Sequence, residues 1–280
     1  MIKKTCNWGV NYDLDLLLNS IDLYISELEI KDEIILFDFW SWIWNTVIPT
    51  IKNLINSWFK VNYHAFDISE NIISLLKENF IKNNIKIDFN YTIIDFEEKD
   101  LSEIIFEVRK KYTNKPILWL FLWNTIWNFL SIERVLSNIM DALDLKDKLV
   151  IWIERVDLQN QRWLSNMLSW YKPTISREHD FATLEYLWLK KEYWNFDVIF
   201  NNRNLSVETY FIFNKDFEIE LDWNKYKFNI WEKIKLFHSK KVNEEEFSKI
   251  LTGLDLRICN LRTSKDNLYL QSLVENKKIY

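Results

Sequence analysis

Three aspartates end hydrophobic, strand-like runs in the N-terminal half of the chain. Asp38 comes at the end of EIILFDF, Asp67 ends KVNYHAFD, and Asp95 ends IDFNYTIID, with Phe96 directly after it. If these runs are parallel strands, their carboxyl ends meet at one edge of a sheet, where such folds bind ligands. A carboxylate after the second strand can accept hydrogen bonds from both hydroxyls of a ribose. The acids therefore predict a ligand site at this edge.

The segment between the first two runs is unusually rich in aromatic residues. It reads LFDFWSWIWNT, so Trp40, Trp42 and Trp44 stand close together around Ser41. The whole chain has 15 Trp and only 2 Gly, although average usage of about 7% predicts roughly 20 glycines. Other tryptophans also fall where turns are predicted and where glycine's access to positive φ is useful: Trp58, Trp123, Trp127, Trp188, Trp223 and Trp231.

Two interpretations of these tryptophans compete. In the first, the protein is Trp-rich and places the rings in its core or on a surface that stacks nucleic acid or sugars. In the second, the gene uses UGA as a glycine codon, and a translation table that assigns UGA to tryptophan writes Trp at every such site. The turn-like positions favour the second, because large aromatics prefer strand interiors. Trp119 and Trp163 lie where an aromatic packs naturally, and we expect these two to be genuine.

Alternating strand and helix patterns predict an α/β fold with a doubly wound, Rossmann-like sheet. Ser69 is a candidate N-cap of the second helix. The predicted strands are 33–39, 60–67, 87–95, 116–122 and 147–153, and the predicted helices are 45–57, 68–84, 101–112 and 131–143. We expect four segments: 1–30 at the N-terminus, 31–160 for the sheet, 161–250 as a smaller β-rich insert, and 251–280 returning to the sheet.

Composition excludes several classes of function. The net charge is −5 and there is no basic stripe, so nucleic acid is not an expected partner. Cys6 and Cys259 are the only cysteines, which offers no disulfide framework and fits a reducing cytoplasm. No apolar run reaches the roughly 18 residues of a membrane span, and the N-terminus turns acidic too soon for a signal peptide.

Read with glycine at the three tryptophans, the first loop becomes an acid followed by Gly-x-Gly-x-Gly. This resembles motif I of the S-adenosylmethionine-dependent methyltransferases, and the resemblance implies that cofactor. It also implies that Asp38 holds the methionine part, that Asp67 holds the ribose, and that Asp95 and Phe96, at the end of strand three, contact the adenine. The implied cofactor-binding set is Asp38, Trp40, Ser41, Trp42, Trp44, Thr46, Asp67, Asp95 and Phe96. A nicotinamide-binding Rossmann domain and a core without ligand are the alternatives.

A second stretch of the sequence resembles one particular family among these methyltransferases. With glycine at Trp123 and Trp127, residues 120–129 become Leu-Phe-Leu-Gly-Asn-Thr-Ile-Gly-Asn-Phe, which is similar to a segment of the histidine-specific methyltransferase family. The likeness extends over about residues 33–260. It implies N-methylation of the α-amino group of histidine or of a similar amino-acid-like small molecule. The implied substrate contacts are Trp123, Asn128, Tyr171 and Ser239.

Each of these contacts also has a structural interpretation. Asn128 could cap a helix, Tyr171 could pack half-buried, and Ser239 could face solvent. His64 and His179 lie in no motif and are interpreted as structural.

Two departures from the family pattern leave the methyl acceptor open. Phe237 stands where the family's Glu-x-Ser-x-Lys motif has the Glu that recognises imidazole, and a phenyl ring accepts no such hydrogen bond. Residues 1–30 show no convincing counterpart of the family's upstream helical segment, for whose pocket tyrosine Tyr12 and Tyr24 are candidates. The alternative to an enzyme is a binding protein that keeps the fold and has lost the chemistry.

Overall fold

The computed structural model describes residues 12–39, 44–96, 101–112, 115–122, 126, 129, 131–158, 160–172, 191–221, 223–265 and 267–277. They fall into two compact units. The first, the sheet unit, comprises Val10–Arg155 and Val242–Tyr280, and the second, the insert unit, is built on Val156–Lys241.

The described helices and strands follow one another in a mainly alternating order. They are α1 (Tyr12–Leu18), α2 (Ile21–Glu27), β1 (Glu33–Phe39), α3 (Trp44–Asn56), β2 (Lys60–Asp67), α4 (Glu70–Lys82), β3 (Asp88–Ile93), α5 (Leu101–Lys110), β4 (Ile117–Phe121), α6 (Ile132–Ala142), β5 (Lys148–Glu154), α7 (Gln161–Tyr171), a 3₁₀ turn (Lys191–Tyr193), β6 (Trp194–Asn201), β7 (Ser206–Phe213), β8 (Phe217–Leu221), β9 (Asn224–Phe228), β10 (Lys233–Lys240), α8 (Glu244–Gly253), β11 (Leu256–Thr263) and β12 (Tyr269–Asn276).

The sheet unit contains a seven-stranded sheet in the order β11-β12-β5-β4-β1-β2-β3. Strands β1 to β5 are parallel, whereas β12 pairs antiparallel with both β5 and β11. Apolar side chains of α5, α6 and α8 pack on one face of the sheet, and those of α2, α3 and α4 pack on the other. The predicted doubly wound α/β fold is confirmed.

Most predicted boundaries in the sheet unit are correct to within two residues. The prediction for β2 is met at both ends, and Ser69 caps α4 by accepting a hydrogen bond from the backbone N–H of Ile72. The third strand was predicted to continue two residues too far at its C-terminal end. It ends at Ile93 because β2 ends at Asp67, its last pairing partner, and leaves Asp95 beyond the sheet.

The N-terminal part of the sheet unit is helical, although its sequence shows no convincing counterpart of the family's upstream helical segment. Helices α1 and α2 lie within the predicted N-terminal segment. Tyr24 in α2 is fully buried and its hydroxyl donates a 2.6 Å hydrogen bond to Oε1 of Gln271 in β12. Burial raises the pKa of Tyr24 to about 12. Tyr24 is therefore a core residue of the sheet unit, and the side chain of Tyr12 lies outside the described residues.

The insert unit is smaller and rich in strands. Its three-stranded antiparallel sheet has the order β10-β7-β6, and β8 and β9 form a separate hairpin. Trp194, Phe211 and Phe213 form its buried core.

The seven tryptophans whose side chains the structure describes fall into two groups. Four are buried, with exposed fractions of 0%, 2%, 5% and 6%: Trp119, Trp152, Trp163 and Trp194. Three are 93%, 94% and 69% exposed, and their backbones have φ values of 68°, 67° and 69°: Trp58, Trp223 and Trp231. Positive φ costs an L-residue roughly 1–2 kcal/mol. The groups match the expectation that Trp119 and Trp163 pack and that the other three lie in turns.

The turn around Trp58 shows why glycine belongs there. Trp58 donates its backbone N–H to the carbonyl of Ile55 at 3.0 Å, and Phe59 donates to Leu54 at 3.1 Å. This pair of hydrogen bonds is the Schellman ending of a helix, whose residue with positive φ is usually glycine. The end of α4 has the same pattern, with Asn84 at the equivalent position and φ of 55°.

The other two exposed tryptophans also occupy turn positions that require a positive φ. Trp223 is the second residue of the two-residue loop between β8 and β9, where Asp-Gly is a favoured pair. Trp231 is the third residue of a β-turn that Glu232 closes by donating its N–H to the carbonyl of Asn229 at 3.0 Å. Positive φ at that position characterises a type II turn and selects glycine.

Candidate functional site

The carboxyl edge of the sheet holds the first of the predicted acids. Asp38 is the penultimate residue of β1 and is only 2% exposed. It lies opposite Ala65 of β2 and Leu120 of β4 in the register of the sheet. Its carboxylate accepts a hydrogen bond from the hydroxyl of Tyr63, which is fully buried. This contact fixes the orientation of the acid at the edge where ligands bind.

Asp67 is the last residue of β2 and is likewise 2% exposed. Its Oδ1 accepts a 2.8 Å hydrogen bond from the backbone N–H of Ser69, the N-cap of α4. Asp67 therefore helps to shape the start of α4. The same contact presents a fixed carboxylate at the end of the second strand, the position from which such acids bind a ribose.

The pair after β3 is placed differently from expectation. Asp95 is half-buried, two residues beyond the end of the strand. The ring of Phe96 is 1% exposed and packs against Phe39, Phe121 and Phe129 with centroids 5.8–6.4 Å apart. The Phe96 ring is therefore part of the hydrophobic core.

The start of α3 carries a buried polar atom for which the described residues provide no hydrogen-bond partner. Thr46 is 1% exposed, and its Oγ1 has no hydrogen-bond partner among the described residues. Leaving a buried hydroxyl unpaired costs roughly 1–3 kcal/mol, so a polar ligand group is the expected partner. Helix N-termini also favour negatively charged or acceptor groups. With Asp38 and Asp67, this residue fits a nucleoside cofactor that carries hydroxyl and carboxylate groups.

The remaining predicted cofactor residues fall on the loop before α3. Trp40, Ser41 and Trp42 lie outside the described residues. Trp44 begins α3, although its side chain is not described.

The insert unit brings two predicted substrate residues to one hydrogen-bond partner. Tyr171 ends α7, and Ser239 lies in β10 with an exposed fraction of 1%. Lys241 follows β10 and is fully buried. Its Nζ donates hydrogen bonds to the hydroxyl of Tyr171 at 2.9 Å and to Oγ of Ser239 at 3.0 Å. We call these three residues the lysine cluster.

The lysine cluster excludes the solvent-facing interpretation of Ser239, and it contains one residue that was not predicted from the sequence. Ser239 does not face solvent, because it is buried beside Lys241. Lys241 itself was not among the predicted site residues, although it is the last residue of the Glu-x-Ser-x-Lys pattern. The ring of Phe237 stacks on Tyr171 with centroids 6.0 Å apart and an angle of 26°. An aromatic surface therefore adjoins the cluster where the family has a carboxylate.

The other predicted substrate residues, Trp123 and Asn128, lie outside the described residues. Helix α6 is capped by Ser131, whose Oγ accepts a 3.3 Å hydrogen bond from the N–H of Arg134. The cap of that helix is therefore not Asn128.

His64 plays a structural role, as predicted. It lies buried in β2, with Nε2 2.8 Å from Oγ1 of Thr92 and its ring stacked on Phe66 at 4.5 Å. Burial, with a smaller contribution from the positive charge of Lys111, lowers the pKa of His64 to about 4. The imidazole is therefore neutral near pH 7. His179 lies outside the described residues.

The described part of the chain contains neither a candidate metal site nor a candidate membrane-spanning helix. No cluster of three or more His, Cys, Asp or Glu side chains there could hold a metal ion. Among the described helices, none combines the length and the apolar character that crossing a bilayer requires.

Comparison with known proteins gives one family and several similar folds. The profile of the family described as "Histidine-specific methyltransferase, SAM-dependent" matches residues 48–276. None of the curated proteins compared with this chain matches it. The crystal structure of an S-adenosylmethionine-dependent methyltransferase from Clostridium acetobutylicum ATCC 824 is similar, with a TM-score of 0.51 and 13% identity over 96% of this chain and 94% of that one.

Two carbon methyltransferases are similar to this chain over part of their length. The DszA carbon methyltransferase has a TM-score of 0.52 and 10% identity over 96% of this chain and 55% of its own. The CurJ carbon methyltransferase has a TM-score of 0.52 and 13% identity over 95% and 54%. This chain therefore spans about half the length of these two. At such low identity the likeness concerns the fold alone.

Proposed function

Because the chain belongs to the family of histidine-specific, S-adenosylmethionine-dependent methyltransferases, we propose that it methylates the α-amino group of histidine or of a similar amino-acid-like small molecule. The observation that carries this choice of acceptor is the lysine cluster. Tyr171 and Ser239, which the family resemblance assigned to substrate contact, share the buried Nζ of Lys241. Two hydroxyls beside a cation suit a zwitterionic amino-acid head group, because they offer donors and acceptors in a confined place.

The sheet unit supplies the residues that would hold S-adenosylmethionine, whose sulfonium provides an electrophilic methyl group. Asp67 would accept hydrogen bonds from the ribose hydroxyls and Asp38 would contact the methionine part. Oγ1 of Thr46 would gain a hydrogen-bond partner that the described residues do not supply. The chain's own contribution to the reaction is alignment, because displacement needs the amine lone pair in line with the breaking bond. The amine must also be neutral, and we assign its proton to solvent.

The loop before α3 must leave space for this cofactor, so its tryptophans matter to the proposal. We propose that the natural protein has glycine at Trp40, Trp42 and Trp44, encoded by UGA. Support comes from elsewhere in the chain, where Trp58 and Trp223 occupy glycine positions at positive φ. A bare backbone lets a cofactor approach closely, whereas an indole would block it. Sequencing of the gene tests this proposal: TGA at these codons supports it, and TGG refutes it.

Transfer of an isotope-labelled methyl group tests the function itself. The full chain with Trp40→Gly, Trp42→Gly and Trp44→Gly is incubated with labelled S-adenosylmethionine and each of the proteinogenic L-amino acids. We expect label in the amine of at least one amino acid. We also expect Asp67→Asn to weaken cofactor affinity by roughly tenfold or more, since a hydrogen bond to a charged group contributes about 1.5–3 kcal/mol.

A second function has one observation in its favour. Phe237 replaces the family's imidazole-binding Glu, which suits a relative that binds an amino acid without methylating it. Cofactor binding with no label transfer to any amino acid would favour this binding protein over the enzyme. For either function we propose a cytoplasmic location, because Cys6 and Cys259 are the only cysteines in the sequence.

A further inference from the structure

We propose that Lys241 is a positioning residue of the substrate site, which turns the hydroxyls of Tyr171 and Ser239 into hydrogen-bond donors for the acceptor molecule. This inference rests on the proposed function, since it deepens the description of the same site. It starts from a buried lysine side chain. The side chain of Lys241 is fully buried, and its Nζ contacts residues from two separate elements, the end of α7 and strand β10.

The direction of the two hydrogen bonds follows from the chemistry of the groups. A lysine ammonium has three N–H donors and no acceptor. At both contacts the lysine must therefore donate, and the hydroxyl oxygens of Tyr171 and Ser239 must accept. Each hydroxyl keeps its own O–H proton for donation to another group. Because hydrogen bonds in a chain polarise one another, accepting from a cation makes each hydroxyl a stronger donor.

The lysine is held firmly enough to impose this arrangement. Its backbone N–H donates to the carbonyl of Leu205 at 2.6 Å, in the turn between β6 and β7. Residues 171 and 241 are 70 positions apart in the sequence, so the ammonium fixes two distant elements at one point.

A purely structural role would not require a charge. Burying an ammonium carries a desolvation penalty, and well-packed apolar residues often stabilise a fold as well as a buried charged group. A positive charge beside two polarised donors instead suits a ligand oxygen with negative charge. The hydroxyls and the ammonium therefore act together to orient the acceptor's head group.

Substitution of Lys241 tests this role. In the full chain with glycine substituted at 40, 42 and 44, Lys241→Met keeps the length of the side chain and removes the donors and the charge. We expect the KM for the accepted amino acid to rise about 10- to 100-fold, as loss of charged hydrogen bonds predicts. The calorimetric Kd for S-adenosylmethionine should stay within twofold. Lys240→Met, one residue away, is the matched control and should keep the parent KM.

Two additional variants separate positioning from simple stability. Lys241→Arg keeps the charge and should retain a lower KM than Lys241→Met. Adding Tyr171→Phe to Lys241→Met should raise KM less than Tyr171→Phe does in the parent, because coupled residues act non-additively. A KM within twofold of the parent in Lys241→Met would overturn the proposal. So would a Lys241→Met variant whose thermal midpoint, cofactor Kd and KM all change together.

Binding measurements keep this inference distinct from the proposed function. If no amino acid is methylated, each proteinogenic L-amino acid is titrated into the parent chain by calorimetry in the presence of S-adenosylhomocysteine. An amino acid that binds the parent and binds Lys241→Met at least tenfold more weakly supports the role of Lys241, even though the methyltransferase proposal fails. Absence of binding to the parent overturns both.

Discussion

Tryptophan has opposite surroundings in the buried strands and in the exposed turns of this protein. In β4, the ring of Trp119 packs 5.5 Å from the rings of Phe37 and Phe39, and its Nε1 donates to Oδ2 of Asp147 at 3.2 Å. In the turns, Trp58 is 93% exposed and holds a left-handed backbone. The indole therefore contributes packing in the strands, whereas in the turns it contributes little burial and carries conformational strain.

The sign of the backbone φ angle therefore distinguishes the tryptophans that pack in the core from those that lie in exposed turns. None of the four buried tryptophans has positive φ, and all three exposed ones do. The predicted cofactor loop resembles these turns in one respect, because it too lies between a strand and a helix where the chain changes direction. We therefore extend the glycine interpretation from the turns to Trp40, Trp42 and Trp44.

The largest predicted effect is the loss of stability when a buried tryptophan is removed. Trp119→Ala should destabilise the protein by about 3–5 kcal/mol, since it removes a large core side chain and leaves a cavity. Urea denaturation at equilibrium measures the change. Trp231→Ala is the matched control in a turn and should change stability by less than about 1 kcal/mol. Equal losses for the two variants would remove the distinction between strands and turns.

A second prediction uses pH to probe the same buried strands. His64 has a pKa of about 4 in the folded protein and an ordinary value of 6.5. The unfolded chain therefore binds the proton more readily between these values, so stability is complete above about pH 6.5 and declines as pH falls toward 4. The full loss attributable to His64 is about 3 kcal/mol. Urea denaturation from pH 7 to 4 should show this decline, and His64→Gln should flatten it.

If the free energy of unfolding declines with falling pH as steeply in His64→Gln as in the parent, the decline has a source other than His64. Glu33 acts in a lower pH range, because hydrogen bonds from Lys115 and Lys60 hold its pKa at about 2. Its contribution is lost only as pH falls below about 4.5.

The smallest predicted effects are gains, and they concern the turns. Trp58→Gly should stabilise the protein by about 1 kcal/mol, because glycine adopts positive φ without the steric penalty of a Cβ. The same gain is expected at Trp223 and Trp231, with near additivity because the sites are separate turns. Thermal unfolding of the single variants and the triple variant measures these gains.

The end of α4 supplies a matched control for the helix-end substitution. Asn84 occupies the same helix-end position as Trp58, and asparagine tolerates the left-handed conformation. Asn84→Gly should therefore gain less than Trp58→Gly. If Trp58→Gly destabilises the protein, the exposed indole has a role that the glycine interpretation does not provide.

The sequence predicted the sheet unit better than the insert unit, for physical reasons. Strands such as β2 are specified locally, because a continuous apolar run flanked by turn residues marks a buried parallel strand. The end of β3 was less predictable, since it depends on where its neighbour stops at Asp67. The Glu-x-Ser-x-Lys pattern contains Lys241, but its contact with Tyr171, 70 positions earlier in the sequence, arises only in the tertiary fold.

Binding of S-adenosylmethionine to two versions of the full chain tests the central claim most directly. One version is the sequence as written, and the other carries Trp40→Gly, Trp42→Gly and Trp44→Gly. Titration calorimetry should show at least about tenfold tighter binding to the glycine version, a difference of roughly 1.4 kcal/mol or more. Equal affinity in the two versions would contradict the claim that the cofactor lies against a loop without side chains.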